Sequence, residues 1–79
     1  MKGGGAVQPV KIHTEYITLG QLLKHIGLAQ SGGEVKALIQ TTTIHVDNHQ
    51  ENRRGRKLYP GTVVAIDTVG TYRIEADET

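Results

Sequence analysis

Two helix-start signatures follow one another so closely that they dictate the first half of any fold this chain can adopt. Thr18 with Gln21 forms the first and Ser31 with Glu34 the second. In each, a hydroxyl accepts from the N–H three residues on, while the longer polar side chain reaches back to the cap. Ile17 before the first cap and Leu22 inside the helix make a hydrophobic staple. Leu19, Leu22, Leu23 and Ile26 follow the spacing of one apolar helical face, and Val35, Leu38 and Ile39 make the matching stripe on the second helix. Gly27 supplies a left-handed stop after the first. Only residues 27–30 lie between the helices, so they must pack as a hairpin or a helix-turn-helix.

After Thr43 the period changes from helical to two. Ile44 and Val46 alternate with His45 and Asp47, and Asp47-Asn48-His49-Gln50 is turn chemistry. Pro60-Gly61 marks a second turn, Val63–Ile66 a short, fully buried strand, and residues 72–76 another strand entered through Val69-Gly70. Residues 12–17 carry a weak alternation that predicts a strand ahead of the helices. The fold class expected is α+β: a helical hairpin on a small, mostly antiparallel sheet of short strands. Residues 1–10, with Gly3-Gly4-Gly5 and Pro9, read as a flexible arm, leaving 11–79 as a single domain.

Seventy-nine residues bury only about 60–65% of their unfolded surface. A core and a catalytic pocket together ask too much of such a length, so no enzyme is expected. The absence of Cys removes disulfides, thiolate nucleophiles and Cys-based zinc sites. No apolar run can span a membrane and no signal-peptide pattern is present, so the expectation is a cytoplasmic monomer with no membrane contact and no small-molecule substrate. There are three Tyr and no Phe or Trp, so the core must be built from aliphatic residues.

The net charge of +1 conceals an asymmetry. Four of the nine basic residues occupy five consecutive positions, in Arg53-Arg54-Gly55-Arg56-Lys57, whereas Asp67, Glu75, Asp77 and Glu78 dominate the C-terminal end. Clustered cations repel one another, so the fold is expected to gain little from them internally. An anionic ligand gains much, because Arg grips phosphate oxygens with two bonds at once. Gly55 lets a backbone approach closely, and Tyr59 either stacks on a base or fills the core. Gly32 and Gly33 leave N–H groups open at the positive end of the second helix.

Other chemistries fare worse. A DNA-reading helix needs polar side chains at its N-terminal end, where this chain has Gly32 and Gly33. His45 and His49 fall on a strand and a turn, and His13 and His25 are scattered, so no metal site is expected. Ser31 is already occupied as a helix cap, and nothing places a His and an Asp beside it for catalysis.

Taken in order, Gly27-Leu28-Ala29-Gln30-Ser31-Gly32-Gly33-Glu34-Val35-Lys36, Leu38-Ile39, Val46-Asp47-Asn48 and Pro60-Gly61-Thr62-Val63-Val64 resemble the S-four RNA-binding domain. That is the αL module named after the fourth small-subunit ribosomal protein, and the resemblance covers residues 18–67. The Ser-Gly-Gly-Glu start and the Asn-Arg-Arg-Gly-Arg-Lys-Leu-Tyr run are more specifically similar to small stand-alone bacterial S-four proteins of the YaaA type. The resemblance implies a two-helix αL hairpin and an RNA-binding surface at Ser31, Lys36, Asn48, Arg53, Arg54, Arg56 and Lys57. Three departures stand out. The family's Ser-Arg pair is Ser31-Gly32, its helix-ending Gly is Thr42, and its hairpin Gly is Asn48, which still tolerates a left-handed turn. One phosphate contact of the helix is thereby lost, which moves the burden to the loop.

The function expected is non-catalytic binding of structured RNA, ribosomal RNA being the class the resemblance implies, with a role in ribosome assembly and no cofactor. The alternative is a protein-interaction adaptor whose basic loop meets an acidic partner.

Overall fold

The first strand contains the first departure from the sequence reading. The structure, a computed structural model, describes residues 6–77. Strand β1, Gln8–Ile12, runs parallel to the last strand with Val10 opposite Ile74 and Ile12 opposite Ala76. Val10 and Ile12 are buried on the core side, while Pro9 and Lys11 face out. An arm through residue 10, with a domain starting at 11, therefore cuts through this strand. Two inward residues are too few to register as alternation, and the partner strand lies some sixty residues away. Pro9 is tolerated because β1 is an edge strand, where a missing N–H breaks no second ladder. Residues 1–5 lie outside the described residues. The strand expected over 12–17 resolves into the end of β1, a bend, and β2, Ile17–Thr18.

Helix α1, Leu19–His25, begins as its sequence predicts. Thr18 Oγ1 accepts from the Gln21 N–H at 3.2 Å and Gln21 Oε1 accepts from the Thr18 N–H at 2.8 Å. Its end is a Schellman turn. The Gly27 N–H reaches Lys24 O and the Leu28 N–H reaches Leu23 O, with Gly27 at φ +83°.

Helix α2, Gly32–Thr41, starts from Ser31, whose Oγ accepts from the Glu34 N–H at 3.2 Å. The reciprocal half of the expected box is shifted by one residue, because Glu34 Oε1 takes the Gln30 N–H at 2.7 Å. Thr42 ends α2 in extended backbone at φ −128°, so no glycine is needed there.

The hairpin β3, Ile44–Val46, and β4, His49–Gln50, turns at Asp47 and Asn48, whose φ of 49° and 71° fit a type I′ turn. Asn48 thus takes the left-handed geometry the family gives to Gly. A short β5, Lys57–Leu58, pairs antiparallel with β2. Strands β6, Val63–Ile66, and β7, Gly70–Ala76, complete a five-stranded sheet of order β1-β7-β6-β3-β4, antiparallel except at β1–β7. Only one face of β6 is fully buried: Val64 and Ile66 point to the core, and Val63 and Ala65 are half-exposed. The core joins Leu19, Leu22 and Leu23 of α1, Val35 of α2, Leu58 of β5, and Ile44, Val46, Val64, Ile66 and Ile74 of the sheet.

Candidate nucleic-acid interface

The basic loop is tied down before it can do anything else. Helix α1 has donors at its start that no helical carbonyl can satisfy. Two of them are taken by this loop: the Leu19 N–H reaches Arg56 O at 2.8 Å and the Gly20 N–H reaches Arg54 O at 2.9 Å. Gly20 makes the approach possible, since a β-carbon there would sit 3.4 Å from both Arg54 O and Val35 Cγ1. The loop's backbone is thus a second cap for α1, locked in the crevice beside α2.

Glu51 fixes the side chains. Its carboxylate, only 7% exposed, accepts from the Arg53 N–H at 3.0 Å, Arg53 Nε at 2.9 Å, Arg53 Nη2 at 3.2 Å and Arg56 Nη1 at 3.0 Å. The Arg53 guanidinium is the main reason the Glu51 pKa is lowered to about 2. Burial opposes this, and the Arg53 N–H and the Arg56 guanidinium reinforce it. The same pairing pushes Arg53 up. The expectation that the fold gains little from these cations fails here, because Glu51 stands just ahead of the run and its buried carboxylate pairs with two of its cations as a clamp.

Arg54 is left to project. Its side chain lines a cleft of about 300 Å³ with Thr18, Gln21, Lys24 and Gly32, and a second of about 280 Å³ with Lys36, Gln40 and Asn52. A β-carbon on Gly32 would lie 4.0 Å from Arg54 Nη1, so the guanidinium reaches the first turn of α2. No carboxylate lines either cleft. Among the described residues, Arg54, Lys24 and Lys36 make no ion pair. Arg54 thus joins two clefts, one between α1 and the start of α2 and one along α2, and the groove they make together holds three cations and several amide and hydroxyl donors, which suits a run of phosphates.

The sequence-derived residues divide accordingly. Lys36 and Arg54 line this groove, and Ser31 adjoins it as the cap of α2. Arg53 and Arg56 flank it in the Glu51 clamp, where two guanidiniums against one carboxylate leave one net positive charge. Lys57 lies on β5 opposite Thr18. Asn48 sits at the tip of the β3–β4 hairpin and lines neither cleft. Sequence reasoning missed Lys24, Gly20 and Glu51. A glycine in the first turn of α1 and a lone acid just before a basic run were the available signals.

Comparison with known proteins gives the same frame. The probable ribosome maturation protein RlbA of Bacillus subtilis (strain 168) is 46% identical over 66 residues, which cover 84% of this chain and 93% of that protein. The model of the S4 domain matches residues 10–75, from the inward Val10 of β1 to Glu75 of β7, and so takes in the inner part of β1, Val10 included, which the sequence reading had left in an arm. The helices, the hairpin and the clamped basic loop all lie within that span, and the chain belongs to the S4 domain family.

Proposed function

We propose that this protein binds structured RNA, without catalysis, through the groove between α1 and α2, and that it acts on ribosomal RNA during ribosome maturation in the cytoplasm. The observation that carries the reading is the placement of Arg54 between Lys24 and Lys36, with no acidic residue in either cleft. The family assignment and the printed name of the Bacillus relative support the choice of RNA. Ser31 and the first turn of α2 extend the phosphate-binding surface. Arg53, Arg56 and Lys57 add positive potential along the loop, and Asn48 adds an amide at the hairpin tip. Among the described residues no helix is long and apolar enough to cross a membrane.

Cations set at fixed backbone positions, on two helices and a loop capped onto α1, suit a folded RNA, whose phosphates have fixed spacing and whose 2′-hydroxyls offer further contacts. With about four phosphates engaged, log affinity against log salt should slope near −3. Arg54→Gln keeps the main-chain cap on α1 and removes one cation. It should weaken binding to a folded ribosomal RNA fragment and make the slope shallower by about 1. Fluorescence anisotropy across a salt series measures both, with an acidic peptide as competitor. Unchanged affinity and slope, or displacement by the peptide in preference to RNA, would refute the reading.

A further inference from the structure

The chain has three Tyr and no Phe or Trp, and the placement of the three is uneven. Tyr72 is 8% exposed and belongs to the core. The other two stand together on the surface. Tyr16 and Tyr59 have ring centroids 5.5 Å apart at 49°, and Tyr59 is 46% exposed, so it does not serve as core filling. Lys57 Nζ lies 5.1 Å from the Tyr16 ring centroid.

The β2–β5 ladder explains the grouping. Ile17 pairs with Leu58, and Leu58 is fully buried. Strand alternation then puts their flanking residues, Tyr16, Thr18, Lys57 and Tyr59, on the opposite, outward face. Thr18 also lines the groove that holds Lys24 and Arg54. The tyrosine pair is therefore continuous with the cationic groove.

Both rings sit on pinned backbone. Thr14 Oγ1 donates to Tyr16 O at 2.7 Å. The Tyr59 N–H donates to Thr62 Oγ1 at 3.2 Å, and the Thr62 N–H returns to Tyr59 O at 2.9 Å. An exposed aromatic face held in place beside cations loses little freedom when a flat ligand stacks on it. Such a face accepts any nucleobase, and the adjacent lysine meets the phosphate that comes with it.

We propose that Tyr16, Tyr59 and Lys57 form a stacking site for one unpaired base, placed beside the phosphate groove so that the protein prefers the junction between an RNA duplex and a single strand. This rests on the proposed RNA-binding function and adds a feature of the RNA that the groove alone does not select. Two adjoining tyrosine rings offer a platform for one base, not for a run of them.

The test uses the intact protein and two probes: a short RNA hairpin with a blunt end, and the same hairpin with a brief 3′ adenosine overhang whose first base is 2-aminopurine. The parent should bind the overhang hairpin about tenfold tighter and quench its fluorophore on binding. Tyr59→Ala should remove that advantage and leave the blunt hairpin bound as before, while Tyr59→Phe should retain it, because stacking needs the ring and not the hydroxyl. Quenching in the parent needs no variant, so a misfolded Tyr59→Ala does not leave the question open. Equal affinity for the two hairpins with no quenching overturns the stacking site and leaves the groove standing. A Tyr59→Ala loss shared equally by both hairpins also overturns it, since the tyrosine would then act through the fold. Failure of the parent to bind either hairpin removes the RNA-binding function itself.

Discussion

Glu51 is the residue whose removal should reveal most about how the loop is built. Its pKa falls from 4.5 to about 2 under the Arg53 and Arg56 hydrogen bonds. A depression of that size corresponds to about 3 kcal/mol at most, because Arg53 is largely solvent-exposed and its pull is screened. Since the folded value is depressed, this stability is fully present above the unfolded value and is lost as pH falls through the folded one. More than half of it should be gone near pH 3, where the unfolded carboxyl is protonated and the folded one is not. Glu51→Gln removes the charge at every pH and turns one acceptor oxygen into a donor facing a guanidinium. Urea unfolding followed by far-ultraviolet circular dichroism suits a chain with no Trp. With that screening taken off the ceiling, the variant should be about 1–2 kcal/mol less stable near neutrality. The gap between parent and variant should shrink by about 1 kcal/mol between pH 6 and pH 3. The other carboxylates titrate in both proteins and cancel from that difference. A gap that stays constant across this range would refute the clamp as a source of stability.

Four further outcomes are expected. Thr18→Ala and Ser31→Ala should each cost about 1 kcal/mol in the same assay, because each hydroxyl satisfies a helix-start donor. Gly33→Ala should stabilise by about 0.5–1 kcal/mol, since the residue is helical and exposed and its nearest neighbour to an added β-carbon is Ser31 Oγ at 3.9 Å. A chain beginning at His13 should lose its cooperative unfolding transition, because Val10 and Ile12 are both 5% exposed and together contribute about 3–6 kcal/mol of burial. Arg54→Gln should leave stability within about 0.5 kcal/mol of the parent while flattening the salt dependence of RNA binding, since its structural bond is made by the main chain.

The elements legible in the sequence are those governed by neighbours along the chain. Both helix starts, the Gly27 stop, the left-handed Asn48 and the limits of β6 follow from caps, turn residues and short periodicity. Each is specified by side chains within a few residues of the backbone groups they satisfy. The aliphatic core was legible for the same reason, because period alone tells which face of a helix or strand must turn inward. The cationic loop was visible as composition, and the family pattern pointed to it.

What only the tertiary structure decided depends on groups far apart in sequence. β1 is a strand because β7 offers it a ladder and the core takes Val10 and Ile12; its own residues carry too little alternation to show this. The loop's backbone is held against α1 because that helix has donors to spare and Gly20 leaves room for a close approach. Glu51 determines which arginines are paired, and folding brings Arg54 to one cleft with Lys24 and to another with Lys36. Charge in a sequence is a count, whereas charge in a groove depends on which cations have already found a carboxylate, and that is settled by distances the chain acquires only on folding.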